Sequence, residues 1–176
     1  PGSGKTTLAK RLSRQMKAPY HTCGDVIRGW VKQRGLPLTP ANDIKGSRYF
    51  AARPGVLAQQ IAVRVNRNNA PLQIIDGVRT VADMKELRRH FDVRVIAMKV
   101  PKAERYGRLI ARTRFANVNA DYLLKRDNRE IGLGLLHLLR RPFKRVDNSG
   151  SLEALNKVAT DLSSHLSSHL SSQRNK

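Results

Sequence analysis

The sequence predicts an α/β protein in three layers, a parallel sheet of about five strands flanked by helices. Three observations lead there. Two short runs rich in β-branched residues, LQIIDG at 72–77 and VRVIAMKV at 93–100, have the length and apolar density of strands buried on both faces. Each is followed by a stretch of helical periodicity, and strands alternating with helices pair in parallel through right-handed crossovers. The opening PGSGKTTLAKRL is a glycine-rich turn running directly into a helix.

The elements follow in order. Leu8 and Leu12 recur at helical spacing, which predicts a helix from Gly4 to about Met16. APYHTC (18–23) is a short apolar break that reads as a strand end. In GDVIRGWVKQRG (24–35), Val26, Ile27, Trp30 and Val31 share one helical face and Gly35 supplies the stop. Thr39 as N-cap and Pro40 at the first helical position open the next helix, which Arg53-Pro54 breaks. Another helix spans about 55–68, and NNAP (68–71) is a turn. After the strand at 72–77, TVADMKELRRHF (80–91) begins with Thr-x-x-Asp, close to a capping box. Pro101 opens the helix after the strand at 93–100. Residues 115–142 are polar, then rich in Leu and Gly. FKRVDN (143–148) reads as a last short strand, and Ser151 caps a last helix. The tail at 163–176, SSHLSSHLSSQRNK, repeats a four-residue unit whose serine content predicts a frayed helix end or disorder. One domain is therefore expected over 1–162. His165 and His169 lie four apart without a carboxylate partner and read as solvated rather than metal-binding.

Composition narrows the function classes. At 40% hydrophobic residues over 176 positions, the chain has the material for a real core. No run of eighteen apolar residues occurs, so no membrane span is expected, and Lys5 precedes an amphipathic rather than a long apolar stretch, so no signal peptide is expected. A single cysteine, Cys23, excludes an internal disulfide and a multi-cysteine metal site. A cytoplasmic, intracellular setting is the default expectation. Charge is the outlier. Thirty-four Lys and Arg against thirteen Asp and Glu give +21, and 22 of the cations are arginine, whose planar fork suits phosphate. Such a field attracts polyanions and exceeds what a small anionic substrate requires, so RNA or a ribonucleoprotein stands as a candidate partner.

The opening residues carry the strongest chemical signal. Gly4, Lys5 and Thr6 fit the end of the phosphate loop G-x-x-x-x-G-K-[ST]. Gly2 and Gly4 permit the backbone dihedrals that aim successive N–H groups of Gly2, Ser3, Gly4 and Thr7 at one anion, and the helix adds its positive end. Lys5 supplies a point charge to the terminal phosphates, and the Thr6 hydroxyl suits Mg²⁺. Such a loop follows a buried strand, so an apolar strand of about five to ten residues is expected upstream of Pro1. The second signal is Asp76 in IIDG. An Asp at the C-terminal end of a buried strand sits where open α/β sheets bind ligands, and it would orient Mg²⁺. Arginine forms the third. Arg28 and Arg79 lie next to Asp25 and Asp76, while Arg112, Arg114, Arg126 and Arg129 are candidates to clamp phosphoryl charge. Asp25 starts a helix and is either a first-turn or capping acid or a group that faces an acceptor and takes its proton.

With these residues in place, the chain resembles the nucleoside-monophosphate-kinase branch of P-loop proteins. GDVIR and IIDGVRT look like that branch's Gly-Asp-x-Leu-Arg and Asp-Gly-x-x-Arg-Thr elements. The chain is most similar to a group of archaeal P-loop proteins resembling adenylate kinase and dephospho-CoA kinase, through GDVIRGWVKQRGLPLTPAN, IIDGVRTVADMKELRRHF, RDNREIGLGL and VDNSGSLEAL. The resemblance implies a P-loop kinase fold with ATP–Mg²⁺ on the loop at 2–7 and a nucleotide-like acceptor near Asp25, Arg28 and Arg79. The acceptor-binding part would cover about 24–70 and the lid about 112–142. It also implies that Asn148, in VDNSGS, approaches the adenine base. The functions expected are transfer of the γ-phosphate of ATP to a nucleoside monophosphate or dephospho-CoA type acceptor, or a basic RNA-binding adaptor on the same fold.

Overall fold

The computed structural model describes residues 1–112 and 119–174. Nine helices and four strands occur among them: α1 (Lys5–Gln15), β1 (Tyr20–Thr22), α2 (Cys23–Gln33), α3 (Pro40–Ala51), α4 (Val56–Asn66), β2 (Ile74–Asp76), α5 (Val81–His90), β3 (Ile96–Lys99), α6 (Lys102–Arg112), α7 (Ala120–Gly132), α8 (Leu135–Leu139), β4 (Lys144–Asp147) and α9 (Leu152–Arg174). Helix starts follow side-chain chemistry. Thr22, Thr39, Thr80, Asn119 and Ser151 each accept from a backbone N–H three residues on, satisfying a donor that the helix leaves open. Thr80 also donates to Asp83, completing the turn expected from the Thr-x-x-Asp signature.

All strand pairing is parallel, as an α/β alternation requires. β1 pairs with β2 in the register Tyr20–Ile74 to Thr22–Asp76, and β3 pairs with β4 from Ile96–Lys144 to Lys99–Asp147. The expected sheet of about five strands is thus realised as four strands in two separate pairs. β2 and β3 share no strand pairing, and Ile74, Ile75, Ile96 and Met98 border a cavity of about 1240 Å³.

Two apolar clusters support the halves. One gathers Val26 and Ile27 of α2, Phe50 of α3, Leu57, Ile61 and Val65 of α4 and Leu87 of α5. The other joins Leu8 and Leu12 of α1 to Val146 of β4 and to Leu155, Ala159 and Leu162 of α9. Helix α9 does not stop near 162. It continues through the Ser/His/Leu repeat to Arg174, correcting the expectation of a frayed or disordered tail. Leu166 and Leu170 continue its leucine row at helical spacing and border the cavity, which gives these turns an apolar reason to persist. His169 contacts Arg94. On the far side, Arg34 lies 3.9 Å from the Trp30 ring centroid and Arg53 4.0 Å from that of Tyr49, while the two rings are 4.8 Å apart and clasp α2 to α3. No helix is long and apolar enough to cross a membrane among the described residues.

Candidate functional site

Backbone geometry builds the phosphate loop. Gly2 and Gly4 both adopt left-handed conformations, with φ of 75° and 82°. Neither position has room for a side chain. A Cβ on Gly2 would lie 2.5 Å from the Arg105 carbonyl oxygen, and one on Gly4 would lie 2.3 Å from Asn148 Nδ2. The loop is pinned from two sides: Arg105 Nη1 donates to Pro1 O at 2.9 Å, and Asn148 Nδ2 donates to Ser3 O at 2.9 Å. Gly4 occupies the N-cap of α1 without a side chain to cap it, so the first-turn amides of the helix stay open toward an anion.

At the first turn of α1, the Thr6 hydroxyl donates to Asp76 Oδ2 at 2.6 Å. Asp76 is the last residue of β2 and is buried, with 8% of its surface exposed. A second donor reaches the same oxygen, the Tyr20 hydroxyl of β1 at 3.1 Å. Burial, followed by the charge of Asp76 and the hydrogen bond to it, pushes the Tyr20 phenol far above its ordinary range, so it remains a donor. Tyr20 was not legible as a site residue, because its motif signature is only a strand-end aromatic. The paired oxygens of Thr6 and Asp76 at the loop's end fit a hard divalent cation that keeps several waters and phosphate ligands, the donor set that Mg²⁺ takes.

Lys5, Arg79, Arg105 and Arg126 border the same cavity as Asp76. Two of these arginines are engaged by α7. Arg105 forms a bidentate pair with Asp127, at 3.0 and 2.5 Å, and Tyr106 donates to the same carboxylate at 3.2 Å. Burial alone would raise the Asp127 carboxyl; the hydrogen bonds and charge of Arg105 outweigh it and hold the group below its ordinary value. Arg79 Nε lies 2.7 Å from Glu130 Oε2. Arg105, Asp127 and Glu130 were missed at sequence level. The acids are three apart in RDNRE, hence on one side of a helix, but nothing in the sequence names their partners.

The remaining sequence-derived residues lie in three places. Asp25, in the first turn of α2, pairs with Arg28 one turn later at 2.6 Å, and both side chains are about half exposed. Neither borders the central cavity. Thr22, not Asp25, is the N-cap. Burial would raise the Asp25 carboxyl, but the Arg28 hydrogen bond and charge, Thr22 and the nearby Arg64 leave it below its ordinary value and anionic. Asn148 borders a small pocket with Gly4, Thr7, Arg108 and Gly150, and Arg108 donates to Gly150 O at 3.1 Å. Arg114 and the side chain of Arg112 lie outside the described residues, as does the first part of the expected lid; α7 and α8 account for its remainder.

Comparison with known proteins fits this geometry. The family described as AAA domain matches residues 1–119, well over half of the chain. The chain belongs to that family. It is also 37% identical to a UPF0200 protein of Methanoregula boonei, over 92% of this chain and 91% of that one. A UPF0200 protein of Methanoculleus marisnigri is 35% identical, over 87% and 85% of the respective chains. Among solved structures, an unliganded sugar kinase from Janibacter sp. HTCC2649 superposes with a TM-score of 0.51 at 19% identity, covering 90% of this chain and 86% of that one. That likeness is one of fold. Together these findings make the chain a member of an archaeal P-loop family with a kinase-like α/β fold, which is the fold class and kinship that the motifs implied.

Proposed function

We propose that this chain is a P-loop phosphotransferase that moves the γ-phosphate of ATP to a small nucleotide-like acceptor. The observation that carries the reading is the Thr6–Asp76 contact beside Lys5 and the open N-terminus of α1. A triphosphate tail seated on Gly2, Ser3, Gly4 and Thr7 meets backbone N–H groups, the helix N-terminus and the Lys5 ammonium together. Thr6 and Asp76 would hold Mg²⁺, which supplies charge neutralisation at the β- and γ-oxygens. Arg79 and Arg126, which border the cavity, would stabilise the transferring charge. Asn148 and Arg108 border the hollow beside Gly4, where the purine base would lie.

Asp25 and Arg28, paired at 2.6 Å, would place the acceptor; a nucleoside monophosphate needs no general base, whereas for a dephospho-CoA type alcohol Asp25 would be the base. Turnover of ATP–Mg²⁺ with a panel of nucleoside monophosphates and dephospho-CoA, followed by ADP release, tests the reading. ADP release no faster than without acceptor, for every member of the panel, removes it.

A second reading keeps the fold and makes it an RNA-binding adaptor. Its support is the +21 charge and the absence of any acid before Asp25, while Lys10, Arg14 and Lys17 stand exposed on and just after α1. It requires RNA affinity that falls steeply between low and physiological salt. Weak, salt-insensitive binding ends it.

A further inference from the structure

We infer that Glu130 is the positioning residue for Arg79, orienting it to receive the phosphate of the acceptor, and that the Arg105–Asp127 pair is the fixed support on which Glu130 stands. The inference rests on the phosphotransferase reading above and concerns the same site.

The two ion pairs use their guanidinium groups differently. Arg105 has both terminal nitrogens engaged: Nη1 donates to Asp127 Oδ1 and to Pro1 O, and Nη2 donates to Asp127 Oδ2. Its side chain is 18% exposed and that of Asp127 14%. A guanidinium so occupied and so enclosed has no fork left for a ligand, and it works as a strut between the loop, α6 and α7. Arg79 meets Glu130 as an ion pair whose closest approach is Nε to Oε2 at 2.7 Å, a contact of charge rather than an aligned hydrogen bond. No protein partner engages its Nη1 and Nη2 among the described residues, although the side chain is only 27% exposed and borders the cavity beside Asp76. An arginine paired by charge to one carboxylate, with no hydrogen bond at Nη1 or Nη2 among the described residues, has donors left for the bidentate geometry that a phosphate monoester matches.

Placement makes the device coherent. Asp127 and Glu130 are three apart and lie on one side of α7. Arg105 follows β3 and Arg79 follows β2, so one helix grips arginines from both strand pairs, which share no hydrogen bond with each other. The Glu130 side chain is only 10% exposed, which a carboxylate tolerates when a cation faces it. Glu130 therefore acts through Arg79 and touches no reacting atom.

The test uses the full chain and calorimetric titration with two probes, Mg²⁺–ADP for the loop and then AMP, a phosphate monoester, on the Mg²⁺–ADP-loaded protein. The expected result is that E130A weakens AMP about tenfold, the loss of one ion pair's worth of positioning. Mg²⁺–ADP affinity stays within about twofold, since the loop contacts are untouched. E130Q, which keeps an oxygen facing Nε, returns AMP affinity to within about threefold of the parent. R79A and R79A/E130A bind AMP equally weakly, because Glu130 has nothing to position once Arg79 is gone. Should E130A fail to fold, E130M keeps the volume and takes its place. AMP affinity unchanged by E130A while R79A weakens it overturns the inference, and so does a parent protein that binds Mg²⁺–ADP but no AMP. A parent that binds no Mg²⁺–ADP takes the phosphotransferase reading and this inference down together.

Discussion

Thr6 and Asp76 are seventy residues apart in sequence, yet their side-chain oxygens meet at 2.6 Å. The contact joins the first turn of α1 to the last residue of β2, so the loop that receives phosphate and the strand that carries the carboxylate are held in one register. Tyr20 adds a second hydrogen bond to the same oxygen from the neighbouring strand. Asp76 is thus a buried carboxylate that accepts from two neutral hydroxyls.

Asp76→Asn removes the charge and keeps an oxygen for Thr6 and Tyr20. The fold should therefore survive, with a thermal midpoint within a few degrees of the parent. Turnover with ATP–Mg²⁺ should fall by about a hundredfold or more, the scale of losing one electrostatic element of a transition-state site. Thr6→Ala should act in the same direction. The check is a coupled assay across a magnesium titration. Retention of more than half the parent rate by Asp76→Asn at saturating magnesium would falsify its role.

Gly2→Ala probes the loop rather than the metal. The left-handed φ of 75° disfavours any Cβ, and the added atom would press on the Arg105 carbonyl at 2.5 Å. The loop must shift and loses the convergence of its amides. Mg²⁺–ADP affinity should drop at least about tenfold, against the roughly 1 kcal/mol of stability that a strained αL residue costs. Equilibrium titration beside a melting curve separates the two effects.

How much of this was legible beforehand depended on where the partner lay in the sequence. The loop, the helix caps at Thr39, Thr80 and Ser151 and the strand ending at Asp76 all rest on local rules, in which a residue and its neighbours within four positions decide the outcome. Arg105 with Asp127 and Arg79 with Glu130 are 22 and 51 positions apart. In a chain with 22 arginines, no local pattern distinguishes these two from those that stay in solvent. The parallel α/β class was legible in the sequence, whereas the individual strand partners were not. Apolar runs show that strands exist, while which edges meet depends on residues far apart in sequence, Tyr20 with Ile74 and Ile96 with Lys144. The tail of α9 was misread because serine content was weighed above the leucines at helical spacing.

Cys23 should be inert in the native protein. Burial, reinforced by the charge of Asp83, pushes its thiol up to about 12. Only 2% of the residue is exposed. At pH 8 the thiolate fraction is negligible and a reagent cannot reach the sulfur. Labelling with a thiol-specific reagent should be absent over an hour and become stoichiometric on adding denaturant. Rapid native labelling would mean that the α2 end of the core opens readily.

Gly46 sets how closely α3 approaches α2. A Cβ there would sit 2.8 Å from Ile27 Cγ2 and 3.3 Å from Trp30 Cε3, both in the packed interface. Because the position is helical, alanine offers a propensity gain of about 1 kcal/mol. Overpacking against a β-branched core residue costs about 1–3 kcal/mol and should win. Gly46→Ala is expected to lower stability in urea titration, and Gly46→Val to lower it further. A stabilised alanine variant would show that the two helices can separate freely.

Asp127 gives the pH dependence. Its folded pKa lies below the ordinary 3.8 because Arg105 outweighs burial. A carboxyl depressed in the folded state contributes stability that is complete above its unfolded pKa and is lost as pH falls through the folded one. The parent should be most sensitive to acid below about pH 4, the unfolded value for Asp. Asp127→Asn removes the titrating group and leaves Arg105 with a neutral acceptor. At pH 7 it should be less stable by roughly 1–3 kcal/mol, the scale for weakening a charged hydrogen bond in an enclosed site. Between pH 4 and 2 the gap should close, since the parent then carries a protonated acid where the variant carries an amide. Urea midpoints of both proteins across pH 2–7 measure this. Parallel curves with a constant gap would assign the Asp127 contribution to shape and packing rather than to its charge.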